Sequence, residues 1–289
     1  MLVKNWCKYV IKLLKLVVPP FFWLIIRRVK SILSTLTYRN QQQGYENLEL
    51  INSIIDKTII IKKCMYTERK IYIDSFRVFA ALILSNRDIS RVVELGGAAG
   101  YHFFNLKTAL PSKELRWTIV ETSLFCEVAS RREDLHPLHF CDNLQEAFSS
   151  YSGEVDLLYC SRALQYLTDP ITTLNEICKL APKFIFLSGI AFSPDRDIHV
   201  YEQISEISSN GPQIVGVKPS VKKVRYNMKL IPQQVIEQIL DTEYVILLRI
   251  SEEPLVHIYK GQTIPYNGIW AVRKDLVDEK NRPRWDLLG

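Results

Sequence analysis

The chain has 289 residues, of which 47% are hydrophobic and 24% charged. That is enough to bury one sizeable core with appendages, and too apolar for a disordered chain. The net charge of +6 invites a nucleic-acid reading, but Lys4, Lys8, Lys12, Lys15, Arg27, Arg28, Lys30 and Arg39 all precede the first acid, Glu46, and the remainder holds 29 basic against 31 acidic residues. The excess is therefore one basic arm on a slightly acidic body, which makes nucleic acid a poor partner.

In residues 1–37 the lysines recur at helical spacing while Trp6, Val10, Leu13, Leu14 and Val17 fill much of the remaining surface, the pattern of a basic amphipathic helix. Pro19-Pro20 ends it. The uncharged run from Leu16 to Ile26 falls well short of the ~20 residues that a spanning helix needs. Lysines also interrupt the apolar region where a secretory signal would be continuous, and no small-residue cleavage site follows. Two readings stand for the arm. Residues 1–31 lie peripherally on an anionic inner membrane face, with Trp6, Phe21, Phe22 and Trp23 in the interface, or the helix packs on its own domain. Either way a cytoplasmic chain is expected.

Residues 38–89 read as a polar linker (38–48) followed by helices, with periodic apolar positions at Leu50, Ile51, Ile54 and Ile55 and again at Phe76, Val78, Phe79, Leu82 and Leu84. From residue 90 short β-branched runs alternate with helical stretches. The expected strands are Arg91–Leu95, Trp117–Glu121, Leu138–Phe140, Val155–Cys160 and Phe184–Ser188; the expected helices are 101–110, 122–132, 143–150 and 169–180. Such alternation predicts a parallel sheet covered on both faces. A helix over Ile231–Leu240 and strands at Tyr244–Ile250 and Gly268–Arg273 follow, the last two as an antiparallel hairpin at the sheet edge. The fold class is thus α/β, a doubly wound, mostly parallel seven-stranded sheet over 90–289 with an antiparallel C-terminal hairpin and an N-terminal helical arm. Residues 190–230, with Pro194, Pro212 and Pro219, read as an insertion too irregular to assign.

The chemistry concentrates at strand ends. Glu94-Leu95-Gly96-Gly97-Ala98-Ala99-Gly100 directly follows the first strand, and its small residues let a ligand approach main-chain amides in front of a helix N-terminus. Glu94 can meet an ammonium and the loop a carboxylate, a pair that suits the zwitterionic tail of S-adenosylmethionine. A nicotinamide fingerprint of the GxGxxG type fails here, because Ala98 and Tyr101 stand where its later glycines belong. Glu121 closes the second strand, where an acid accepts hydrogen bonds from ribose hydroxyls; a merely solvated carboxylate is the alternative. Asp142, after the third strand, reads as a helix N-cap for 143–150 and as a reader of the adenine amino group. Ser161, Gln165 and Tyr166 follow the fourth strand, Ser161 beside the cofactor and Gln165 and Tyr166 toward the substrate. No cysteine pair or His-x-His cluster has metal-ligand spacing, so no metal is expected, and the six cysteines read as reduced thiols packed as small hydrophobes.

The segments Val92 to Gly100, Trp117 to Glu121 and, most specifically, Ser161-Arg162-Ala163-Leu164-Gln165-Tyr166-Leu167-Thr168-Asp169-Pro170 resemble a family of S-adenosylmethionine-dependent methyltransferases encoded mostly among bacterial surface-polysaccharide genes. Weaker similarity covers the arm around Pro19-Pro20, the stretch from Gly44 to Asn47, and the region from Glu202-Gln203 to Arg225-Tyr226-Asn227. The resemblance implies a Rossmann-like methyltransferase fold and a cofactor site at Glu94, Gly96, Gly97, Gly100, Glu121 and Asp142. It also implies methylation of a sugar or other glycan precursor at the cytoplasmic membrane.

Transfer to a hydroxyl calls for a base, and His102 beside the loop and His199 in the insertion are the candidates. Asp195, Asp197 and Glu202 are alternative residues for the acceptor cleft. A nucleic-acid methyltransferase fits less well, since Ser161-Arg162 stands where an Asn/Asp-Pro-Pro-aromatic motif would follow the fourth strand. A catalytically silent scaffold on the same fold is the third reading.

Overall fold

The computed structural model describes residues 44–72, 76–84, 89–214 and 222–277. The basic arm expected over 1–37 lies outside the described residues. The body opens with helix α1 (Leu48–Glu68), whose N-cap Asn47 accepts a hydrogen bond from the Leu50 N–H at 3.0 Å, and with α2 (Phe76–Leu84). Strand–helix alternation follows: β1 (Arg91–Leu95), α3 (Tyr101–Ala109), β2 (Arg116–Val120), α4 (Ser123–Ser130), β3 (His139–Cys141), α5 (Leu144–Ser149), β4 (Leu157–Ser161), α6 (Pro170–Leu180) and β5 (Phe184–Ala191). Then come β6 (His199–Glu206), β7 (Lys223–Leu230), α7 (Gln233–Leu240), β8 (Tyr244–Tyr259) and β9 (Gln262–Arg273).

One seven-stranded sheet runs β3-β2-β1-β4-β5-β9-β8. The first five strands are parallel, and β9 lies antiparallel between β5 and β8. The two-residue period of β1 sends Val92 into one core and Val93 and Leu95 into the other. The first core packs α1, α2, α3 and α4 against the sheet, the second α5, α6 and α7, so both faces are dry. From β1 the chain winds outward through β2 and β3, then returns to β4 on the other side. Their diverging connections open a crevice at the carboxyl ends of β1 and β4, where ligands of such sheets bind.

Two expectations are corrected. Residues 190–230 hold an ordered two-stranded antiparallel sheet, β6 against β7, paired from His199↔Leu230 to Glu206↔Lys223. The C-terminal hairpin is longer than its apolar runs suggested, because Lys260 and Gly261 both take positive φ (47° and 80°). That is the turn that joins two strands with a matching twist, and register shifts near Ser251–Val256 accommodate the polar stretch that interrupts β8 in sequence. Among the described cysteines Cys126, Cys141, Cys160 and Cys178 are buried free thiols, and burial pushes Cys160 up to about 12.

At the amino ends of the strands, Asp156 ties three of them together. Its carboxylate accepts from the Ser90 and Arg91 N–H groups (3.0 and 2.9 Å), from the Arg91 guanidinium and from Lys183 Nζ at 2.9 Å. Burial alone would raise its pKa, but these donors outweigh burial and hold the carboxyl well below the ordinary range. A depressed carboxylate stabilises the fold above its unfolded pKa near 4, and that stability is lost as pH falls below it. Asp156→Ala is therefore expected to lower stability by about 2–3 kcal/mol at neutral pH, discounted for the partly exposed cations. Urea denaturation should show the gap closing as pH drops below about 4; a gap independent of pH would refute the charge-based account.

Candidate active site

The cleft is built on the β1–α3 turn. Gly96 and Gly100 hold φ of +69° and +79°, and a Cβ on Gly96 would stand 2.2 Å from the Ala163 Cβ of the β4 loop. Only glycine lets the two loops meet so closely. Ala98 also sits at positive φ (+47°), a strained position for a residue with a side chain. The turn is pinned by Gly96 N–H to Val120 O (2.9 Å) and Gly100 N–H to Gly97 O (3.0 Å).

Glu121, at the end of β2, points into this turn. Its Oε1 accepts from the Ala98 N–H at 2.9 Å and its Oε2 from the Thr122 N–H at 3.2 Å, while part of the residue faces the cleft. Burial dominates its titration and lifts it from about 4.5 to about 7; the two N–H donors oppose this, and the Glu94 charge adds to it. Asp142 stands at the exposed lip, bonded to the Ser123 hydroxyl, which holds its carboxyl below the ordinary range. The N-cap of α5 is Asn143, whose side chain accepts from Glu146 N–H at 2.7 Å, so the capping role expected of Asp142 falls one residue later and leaves Asp142 on the cleft wall.

Glu94, expected to meet an ammonium, is enclosed by protein partners. It is 1% exposed; Oε2 accepts from the Trp117 indole N–H at 2.8 Å, and Oε1 lies 2.6 Å from His102 Nδ1. Buried and not part of the cleft wall, Glu94 reaches the cleft through His102, which lines it and packs edge-on against Tyr159 at 5.2 Å. His199 is held elsewhere. Its Nε2 bonds both oxygens of Asp195 (2.8 and 2.9 Å) in a separate pocket with Tyr259 and Lys260, and it does not line the cleft.

The cleft encloses about 840 Å³, within the range of small-molecule sites. Gly96, Gly97, Glu121, Asp142 and Ser161 line it together with His102, Gln165 and Tyr166; Gly100 lies behind, its α-carbon against Leu138. Tyr166 donates to Gln203 Oε1 at 2.9 Å and meets Tyr45 and Tyr226 edge-on, so β6 and the chain before α1 close the far side. Arg77, Tyr45, Gln203 and Tyr266 line the cleft without having been singled out as site residues by strand-end reasoning. Tyr45 and Gln203 carried only the weak resemblance, and Arg77 sits on a helix before the first strand, where no local pattern marks it.

No family profile and no curated protein matches the sequence. Among solved structures the chain is similar to the N-terminal domain of EvdMO1 with SAH bound, at 14% identity and TM-score 0.44 over 70% of this chain and 82% of that one. It is similar also to an S-adenosylmethionine-dependent methyltransferase from Clostridium acetobutylicum, at 11% identity and TM-score 0.45 over 73% and 95% of the two chains. The CcbJ methyltransferase from Streptomyces caelestis overlays with 8% identity and TM-score 0.45 over 69% and 88%. Likeness at this level assigns no role by itself.

Proposed function

We propose that this chain is an S-adenosylmethionine-dependent methyltransferase acting on a hydroxyl of a sugar or other glycan precursor. The observation that carries the reading is the contact between Glu121 and the Ala98 N–H. It sets a carboxylate suited to vicinal ribose hydroxyls beside main-chain amides suited to an amino-acid tail. The residues present fit the cofactor: the side chains that would fill the turn are missing at Gly96 and Gly97, and Asp142, bonded to Ser123, stands exposed at the lip where an adenine edge would lie. The cofactor supplies an electrophilic methyl on a sulfonium.

Aligning an acceptor with that methyl is the larger part of the protein's work. With Nδ1 turned to buried Glu94, His102 keeps Nε2 as the nitrogen able to take a proton from an acceptor hydroxyl, and Glu94 steadies the imidazolium that results. Tyr45, Tyr166 and Gln203 support a sugar acceptor, combining aromatic faces with an amide. Calorimetric titration with S-adenosylmethionine tests the cofactor, and absence of binding would overturn the reading. Labelled cofactor incubated with cell glycan extracts tests the acceptor; label entering RNA instead of glycans would refute it.

We further propose that residues 1–31 hold the protein at an anionic membrane face. Full-length chain is expected to pellet with anionic liposomes and the chain lacking 1–31 to stay in the supernatant, with high salt weakening the pelleting. Equal pelleting of both would favour an arm packed on its own domain.

A further inference from the structure

We infer that the acceptor side of the cleft takes an oxyanionic group, a phosphate ester or carboxylate, held by Arg162, with Gln165 reading a hydrogen-bond donor beside it. The inference rests on the methyl-transfer reading for which side belongs to the acceptor. Three irregularities of the backbone converge on Arg162. It holds φ of +58° although it is not glycine, a conformation strained for a residue with a side chain. Its N–H donates to Ser188 O at 2.8 Å, which ties the strained turn to β5. Across from it, Gly189 (φ +65°) sits where the β5–β9 register shifts, and a Cβ there would lie 2.2 Å from Arg162 Cγ. The side chain is thus laid across a gap left open in β5, and its guanidinium carbon rests 5.7 Å from the centre of the Tyr266 ring on the cleft wall.

The two arginines of the lining differ in what they have left to offer. Arg77 already faces Glu252, with Nε at 2.8 Å from Oε2, and the other Glu252 oxygen accepts from Ser188 Oγ and Gly189 N–H, each at 2.7 Å. Arg162 has no carboxylate partner among the described residues. Its planar fork is the group best shaped for an oxyanion. Gln165 supplies an independent observation. It is 1% exposed, its Nε2 donates to Gly189 O at 3.1 Å, and its Oε1 has no partner although the residue lines the cleft. A buried acceptor left unmet keeps the cost of its lost hydration, and a donor on a ligand held by Arg162 would remove that cost.

The experiment uses full-length protein saturated with S-adenosylhomocysteine and reads saturation transfer to the methyl protons of two probes, methyl phosphate and acetate. Binding of either is expected, the tighter one naming the oxyanion, with affinity lowered about tenfold in Arg162→Gln and partly recovered in Arg162→Lys. Cofactor-product affinity should be unchanged in both variants. Should Arg162→Gln fail to fold, the wild type decides: methyl phosphate or acetate should slow phenylglyoxal modification of Arg162, read by mass spectrometry, and leave that of exposed Arg131 unaltered. Neither probe binding, equal binding by Arg162→Gln, or no protection of Arg162 overturns the inference. Failure of S-adenosylhomocysteine to bind is a separate outcome that strikes the methyl-transfer reading, and probe binding is then read on the protein alone.

Discussion

Replacing Glu121 by glutamine is expected to cut affinity for S-adenosylmethionine by about three orders of magnitude while making the free protein more stable above neutral pH. The loss follows from two hydroxyl–carboxylate hydrogen bonds at about 1.5–3 kcal/mol each, which a neutral amide does not match. The gain follows from linkage. In the folded protein the carboxyl titrates near 7 against about 4.5 when unfolded. A raised carboxyl costs the fold nothing below its unfolded pKa; the cost grows as pH rises through that window and is complete above about 7. A shift of this size corresponds to at most about 3 kcal/mol, less what cleft water screens. Melting curves of wild type and Glu121→Gln should therefore coincide near pH 4 and separate by pH 8. Cofactor affinity of the wild type should fall as pH drops below 7, because the hydroxyls need the ionised acceptor. Glu121→Gln that binds cofactor like wild type would end the proposed role.

The second large effect lies in the turn itself. Gly96→Ala places a methyl where the Ala163 Cβ already stands, 2.2 Å away, and asks an alanine to hold φ of +69°. The left-handed conformation costs roughly 1–2 kcal/mol and the overpacking about 1–3 kcal/mol, and the displaced turn would close on the cofactor's tail. Both stability and binding should drop. Ala163→Gly removes the steric part alone, so the double variant should regain the overpacking share and keep the φ share. A double-mutant cycle in urea reads this directly; strict additivity of the two changes would mean that the loops do not press on one another.

Chemistry legible along the chain was chemistry encoded within a few residues. The Glu94–Gly100 turn follows a β-branched run, and Glu121 stands where a run of Trp117, Ile119 and Val120 meets the Thr122 cap; both read correctly as strand ends bordering one crevice. The cap expected at Asp142 falls one position later, because Asn143 next to it carries the same capping chemistry and only backbone geometry separates them. The insertion escaped because β6 alternates half-buried with exposed residues and none of its positions is fully buried, so no dry face marks it.

By itself the sequence determined the order of strands and helices from 91 to 191 and the strand ends that carry acids and small residues, since periodicity, caps and glycine turns are local signals. Tertiary structure alone decided what those side chains do. Glu94 is enclosed between Trp117 and His102 because parallel pairing of β1 with β2 brings Trp117, two residues before Glu94's own partner Ile119, against its carboxylate. His199 is withheld from the cleft by Asp195, and Arg162 is delivered to it by a glycine in β5 and the shift of register beside it. Register and bulges are set by the sum of contacts between residues far apart in the chain, and no window along it contains that sum.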